Sequence, residues 1–345
     1  MSQRQAFLDR SVGEARGVVF LDGAPERLII VREGDGALQV GARFAAKVRK
    51  VEPAFASAFL EFNDGQEGLL AFKPEYRPVE GQMLEVEVRS EPRLGKLATV
   101  RAIGAGEGKP RLLASAPSLI EQLEFHARDT KIIEGHPARE AADLAETEAL
   151  EMVHALPGGG SLAIEPTRAL VAIDVDLGER TGQDAKRITR QANLTALAVA
   201  ARLLRLKGLG GIVIIDLVGR GHDGNALMAA ARAAFSPDNP GVAIGPVGRF
   251  GTIELSIPRR GRAAREILLD DQGRVSELTL ALRLVRMAQS EAQTNPGARL
   301  IAHAAPAVAQ AAAPLVAQLN LTIGGRLSLS QQSAWRRDRL EVIEG

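Results

Sequence analysis

Ala169-Leu170-Val171-Ala172-Ile173-Asp174-Val175-Asp176 and Gly211-Ile212-Val213-Ile214-Ile215-Asp216-Leu217 are two short β-branched runs, each with aspartate near its end. Both are too short and too rich in Val and Ile for buried helices, so they are predicted as strands. Neither alternates cleanly, which predicts a sheet covered on both faces. Between them, residues 184–207 read as a helix, and Gly208-Leu209-Gly210-Gly211 ends it. Strand, crossover helix and strand make a right-handed parallel unit. If the two strands are neighbours, their axes lie about 4.8 Å apart. Asp174 and Asp216 then face one point, and such a pair either shares a proton or binds a hard cation such as Mg²⁺. An aspartate closing a strand often caps the next loop instead. A polar end on two central strands, however, usually marks a site in open α/β sheets.

Composition narrows the classes. The chain has 345 residues and 46% hydrophobic content, enough for large cores and two or three domains. Its net charge of +1 gives no global basic field, so any nucleic-acid affinity must come from local patches. The absence of cysteine excludes disulfides and thiolate zinc sites. No apolar run is long enough to span a bilayer, and residues 1–10 lack the apolar core of a signal peptide. A cytoplasmic protein with no membrane partner is expected. Aromatics are 3% of the chain, so stacking contacts with bases would be few.

Around the central unit the pattern changes several times. Gly17-Val18-Val19-Phe20-Leu21 and Arg27-Leu28-Ile29-Ile30-Val31-Arg32 flank the turn Asp22-Gly23-Ala24-Pro25, a hairpin that needs a sheet elsewhere. From 41 to 103, four or five short runs with even spacing predict a small barrel. Residues 104–117 read as a linker by composition. Ser118-Leu119-Ile120-Glu121 is a capping-box candidate, and residues 137–154 read as an Ala- and Glu-rich helix. His126, His136 and His154 share no metal-ligand spacing and are expected at the surface. A helix at 225–235 and a strand at 241–245 come next. Arg249, Arg259, Arg260, Arg262 and Arg265 then form the densest basic stretch. Its guanidinium forks would suit phosphate oxygens beside the two aspartates, although a solvated charged loop would read the same way. A helix at 277–293 opens the last segment.

The blocks around the two aspartates resemble the catalytic core of the ribonuclease E/G family. They begin with Gly158-Gly159-Gly160-Ser161-Leu162-Ala163-Ile164-Glu165 and the first aspartate run, and continue through Asn193-Leu194 and Ala200-Ala201-Arg202-Leu203-Leu204-Arg205-Leu206. The second aspartate run, Arg249-Phe250-Gly251 and Glu254-Leu255-Ser256 complete them, in the family's order over about a third of the chain. The resemblance implies a Mg²⁺-dependent endoribonuclease (Mn²⁺ serving as well) acting on single-stranded RNA in RNA processing or decay. Asp174 and Asp216 would be its metal carboxylates. Asp176, where the family has asparagine, would be a further metal-site residue that either tightens cation binding or marks drift from catalysis. The barrel resembles the OB-fold RNA-binding barrel of the ribosomal S-one type. Lys47, Arg49, Lys50, Phe59 and Phe62 are its candidate RNA contacts. The two aromatics lie three apart on one strand, so at most one reaches RNA, and Phe59 is the choice. With Arg249, Arg259 and Arg260 these make up the implied RNA-binding set.

The resemblance also implies a mixed α/β multidomain fold. A ribonuclease-H-like subdomain would be split between residues 1–36 and 112–155, around an OB-fold barrel at 37–111. A DNase-I-like α/β catalytic domain would occupy 156–272. A small C-terminal domain at 273–345 would serve homo-oligomeric assembly. Longer relatives carry a 5′-sensing subdomain where this chain has its short linker, and a cysteine pair that links protomers through zinc where it has Gly273-Arg274. No zinc is therefore expected. Two other functions stay open: a non-catalytic RNA-binding paralogue that keeps the barrel and basic face, and a metabolic α/β enzyme, which lacks a dinucleotide fingerprint.

Overall fold

The computed structural model describes residues 3–345 except 74, 94, 129, 180–183 and 239–240. The fold is mixed α/β, with four sheets among the described residues. Strands β1 (Arg4–Ser11), β2 (Glu14–Leu21) and β3 (Ala24–Arg32) form an antiparallel meander. The hairpin expected from the turn chemistry is β2–β3, and β1 extends it. The chain then builds β4 (Arg43–Glu52), β5 (Ser57–Glu61), β6 (Glu67–Ala71), β7 (Met83–Ser90) and β8 (Ala98–Ala105). These five close into a barrel, because β4 pairs with both β7 and β5. Alternate residues Phe44, Ala46 and Val48, with Ala58, Leu60, Val86 and Val88, fill its interior. The stretch expected as a linker contains a short sixth strand, β9 (Arg111–Ala114), which lies against β4.

Helix α1 (Leu119–Ala127) starts at Ser118, whose hydroxyl accepts from the Glu121 N–H while the Glu121 carboxylate accepts from the Ser118 N–H. Strand β10 (Ile132–Ile133) then returns to pair in parallel with β1. The first sheet is thus completed across the barrel. Helix α2 (His136–Leu150) covers it with Ala138, Ala141, Ala142, Ala145 and Ala149, a small-residue stripe at helical spacing that permits close approach.

The central sheet has the order β11 (Val153–Ala155), β12 (Ser161–Pro166), β13 (Val171–Asp176), β14 (Gly211–Asp216), β16 (Thr252–Ile257), β15 (Ala243–Ile244). Among its described pairings, that of β13 with β14 is parallel and the other four are antiparallel. Strands β13 and β14 are joined by α3 (Ala185–Lys207), which Asp184 caps through the Arg187 N–H and left-handed Gly208 ends. Helix α4 (Gly224–Phe235) packs beside α3, and short α5 (Ala264–Leu268) follows β16. Val171, Ile173, Val175, Val213, Ile215, Ile253 and Leu255 are buried under these helices.

The opposite face corrects the expectation of a sheet covered on both sides. Asp174, Asp176, Ile212, Asp216, Glu254 and Ser256 are exposed, and Ala172 and Ile214 are half-buried. The strands do alternate. The alternation is hidden in the sequence because Ala172, Ile212 and Ile214 are apolar residues left on the open face.

The C-terminal part has α6 (Glu277–Thr294) and α7 (Pro306–Ile323) packed on β17 (Leu300–Ala304), β18 (Leu327–Gln331) and β19 (Leu340–Glu344). Buried Glu146 of α2 joins it to the first sheet, accepting from Arg16 and, at 2.6 Å, from Arg283 of α6. Burial raises the Glu146 carboxyl, but the two guanidinium groups more than offset this and hold it below the usual carboxylate range.

Candidate functional site

Asp174 and Asp216 are register partners across the parallel pair β13–β14. Partners in register point to the same face of the sheet, and here that is the open face. Asp176, two residues on, shares that face. Its Oδ1 accepts the Gly178 N–H at 2.8 Å, an Asx turn that shapes the start of the loop after β13. The facing turn requires glycine: at Gly160 (φ +78°) a Cβ would sit 2.2 Å from the Asp176 carbonyl oxygen. Among the described residues no group of three or more His, Cys, Asp or Glu converges on one metal position. Register sets Asp174 beside Asp216, and Asp176 lies two residues further along the same exposed face. A pair of carboxylates still suits Mg²⁺, which keeps several waters and takes one or two protein carboxylates.

The segment after Asp216 is held from two sides. The Leu217 N–H donates to the Gly251 carbonyl at 3.0 Å. The buried Asn193 side chain of α3 grips Val218, with Nδ2 donating to its carbonyl at 3.0 Å and Oδ1 accepting its N–H at 3.1 Å. Gly251 belongs to a tight turn that enters β16, and this turn carries Arg249 and Phe250. The Arg249 guanidinium lies 4.5 Å from the centroid of the Phe250 ring, which is 77% exposed. Arg249 thus stands at the aspartate end of the sheet beside an open aromatic face.

The rest of the arginine stretch does not. Strand β16 runs antiparallel to β14, so Thr252 pairs with Asp216 and Ile257 with Gly211. Arg259, Arg260, Arg262 and Arg265 follow the far end, roughly 20 Å away at ~3.4 Å per residue. The expectation that all five arginines stand beside the aspartates is corrected: residues before and after an extended strand lie at its opposite ends. Arg259 pairs with Glu266, and Arg262 with Asp35 at 2.6 Å. The Glu91 N–H of the barrel donates to the Arg260 carbonyl at 2.8 Å, and the Arg262 N–H to the Glu91 carboxylate at 3.2 Å. This end of β16 is a docking point for the barrel, with the Arg260 side chain left exposed.

On the barrel, Phe62 is core, edge-on to Phe44 with centroids 5.0 Å apart. Phe59 points outward, half-exposed, with Lys50 and Leu69 as cross-strand neighbours. Lys47 is half-buried opposite Glu61 and Met83. Exposed Lys50 is paired with Glu52, whose hydrogen bond and charge raise its ammonium above the usual lysine range. Sequence reasoning missed Phe55, 79% exposed in the turn after β4. The signal was Pro53-Ala54-Phe55, an aromatic in a turn that neither strand can bury.

The histidines also need correction. His136 is exposed, but His154 lies in β11 with 6% exposure and His126 is half-buried. Residues 151–154, expected as helix, leave α2 and start the central sheet, which draws His154 inside. Burial, aided by the Lys207 ammonium, lowers its imidazole to about 4. Burial, aided by Arg27 and Arg4, lowers that of His126 to about 3. Both are neutral at pH 7.

Comparison with known proteins adds a direct relationship. The sequence model of the Ribonuclease E/G family matches residues 109–260, which include both aspartates, α3 and the Arg249 turn. Ribonuclease E of Haemophilus influenzae is 34% identical over 148 residues, 40% of this chain and 16% of that protein. Ribonuclease E of Escherichia coli is 32% identical over 148 residues, 40% of this chain and 14% of that protein. Ribonuclease G of Salmonella typhimurium is 23% identical over 209 residues, 56% of this chain and 43% of that protein. The chain spans less than half the length of these curated relatives. Through residues 109–260, the chain is a relative of the Ribonuclease E/G family.

Proposed function

We propose that this chain is a Mg²⁺-dependent endoribonuclease acting on single-stranded RNA in RNA processing or decay. The observation that carries the reading is the in-register pairing of Asp174 and Asp216 on an open sheet face, inside the segment related to ribonucleases. Mg²⁺ held by these two carboxylates would supply an activated water and neutralise charge on the phosphorus. The chain's own residues do the remainder. Asp174 and Asp216 present hard oxygen donors from two adjacent strands, so their separation is set by the sheet. Asp176 fixes the loop beside them through the Gly178 N–H, a role the Oδ1 of an asparagine fills equally. The Arg249 fork meets a phosphate oxygen, and the Phe250 ring offers a stacking surface for a base. Without a cation, Asp174, Asp176, Asp216 and Glu254 would repel a phosphate chain, so metal and substrate binding are coupled.

In this reading the five-stranded barrel is an OB-fold of the S-one type. Lys47, Lys50 and Phe59 contact RNA there, and Arg260 adds charge between barrel and sheet. The first sheet is the split ribonuclease-H-like subdomain, the central sheet is DNase-I-like, and the C-terminal domain assembles copies of the chain. The test is cleavage of an unstructured A/U-rich oligonucleotide with and without Mg²⁺. Asp174→Asn and Asp216→Asn should each lower turnover by at least about a hundredfold, the scale of losing a major electrostatic contribution. Full activity in either variant, or in excess chelator, overturns the assignment. Tight RNA binding by a wild-type protein that never cleaves would select the non-catalytic paralogue instead.

A further inference from the structure

At the aspartate end of the central sheet, on the side covered by helices, lies a cleft of about 350 Å³ between the first turns of α3 and α4. Lys186, Thr189, Arg190 and Asn193 line it from α3, and Arg220, His222 and Asp223 from the segment after β14. Positions 186, 190 and 193 are spaced four and three apart, so one helix face delivers them together. The cleft holds three permanent cations and one carboxylate. That carboxylate is already engaged: Asp223 Oδ1 accepts the Ala226 N–H at 3.1 Å as the cap of α4, and Oδ2 lies 3.6 Å from Arg190 Nε. Among the described residues, Lys186 and Arg220 pair with no carboxylate.

Such a balance repels a free cation and favours an anion, and the volume exceeds what a bare phosphate fills. Arg190 and Arg220 provide planar forks for phosphate oxygens, Lys186 a point charge, and Thr189 a hydroxyl for a sugar or base edge. The floor is apolar, from Leu227. The cleft also adjoins the aspartates: Arg220 is four residues beyond Asp216, and Asn193 fastens the intervening Val218 to the helix that carries Lys186 and Arg190.

We propose that this cleft seats one nucleotide of the RNA strand next to the cleaved bond, with its phosphate on Lys186, Arg190 and Arg220. The proposal rests on the endoribonuclease reading for its RNA context. Its test uses the full chain and 5′-UMP as probe, with inorganic phosphate for comparison, both followed by calorimetry. RNA cleavage kinetics in Mg²⁺ are measured in parallel. Wild type should bind 5′-UMP saturably and more tightly than phosphate. Arg190→Gln/Arg220→Gln should weaken that binding by at least about tenfold. It should also raise KM for RNA with a smaller change in kcat, and reduce the salt slope of RNA binding by about 0.7 for each phosphate no longer neutralised. Lys186→Ala, on an exposed helix surface, should give an intermediate loss without disturbing the fold. A folded double variant that binds 5′-UMP and RNA as wild type does overturns the proposal. Equal binding of phosphate and 5′-UMP overturns the nucleotide assignment. A wild type that cleaves no RNA, yet binds 5′-UMP in a manner lost in the double variant, removes the ribonuclease reading and supports the nucleotide site.

Discussion

The side chain of Asn193 and the backbone of Val218 form a closed pair, each donating one hydrogen bond to the other at 3.0 and 3.1 Å. Asn193 is buried, so neither group can turn to water if its partner is lost. Asn193→Leu keeps the volume and strands the Val218 N–H and carbonyl, a cost of roughly 2–4 kcal/mol for two unsatisfied groups. Thermal melts should show the loss. Cleavage should fall as well, because Val218 sets the exit of the chain from Asp216. Wild-type stability would mean that the loop is held by other contacts.

A second expectation concerns Glu146. It bridges Arg16 of β2 and Arg283 of α6 from a buried position. Glu146→Gln leaves buried Arg16 with only Glu14 and should destabilise by about 3–5 kcal/mol. The first consequence should be release of α6, read as new protease sites in the C-terminal part before global unfolding. Uniform protection would show that apolar packing alone holds that part.

Acid stability should report the histidines. Above about pH 6.5, His126 and His154 are neutral in both folded and unfolded chains and contribute no pH dependence. Below it the unfolded chain takes up protons that the folded chain refuses until about pH 4 for His154 and about 3 for His126. Stability therefore falls as pH drops through this window, by up to ~1.4 kcal/mol per pH unit for each histidine. His154→Gln should flatten the loss between pH 6.5 and about 4 in denaturant titrations. An unchanged acid limb would argue that His154 already protonates in the fold.

The barrel should add binding rather than chemistry. Lys47→Ala with Lys50→Ala should raise KM for RNA several-fold and lower the salt slope, with kcat nearly intact. Because Lys50 is already paired with Glu52, the salt change should be smaller than two fully neutralised phosphates would give. If kcat falls and KM does not, the barrel acts on the aspartates and not on the RNA.

Much of the site could be read along the chain because its parts are local. Val171–Asp176, Ala185–Lys207 and Gly211–Asp216 carry their own strand, cap and stop signals. Once the crossover is recognised, Asp174 and Asp216 fall opposite each other. What was hidden depended on partners distant in sequence. The open sheet face could not be seen, since Ile212 and Ile214 look like core wherever they sit. The arginines were grouped by proximity along the chain, whereas an extended β16 carries Arg249 and Arg260 to opposite ends. His154 looked superficial until β12 fixed where β11 lies.

The interrupted first sheet has a consequence for how the chain is made. Strands β1–β3 leave the ribosome before the barrel, but β10 and the alanine face of α2 that cover them come only after the barrel is complete. Strand β9 ends at residue 114 and β10 begins at 132, so 18 residues (132 − 114) of synthesis separate them. During that interval the barrel has all its strands and can close on local pairings, while Phe7, Val18 and Phe20 still lack the α2 alanines they pack with. Strands made before the barrel are therefore buried after it, and the barrel, an insertion in space, comes before its host sheet in time.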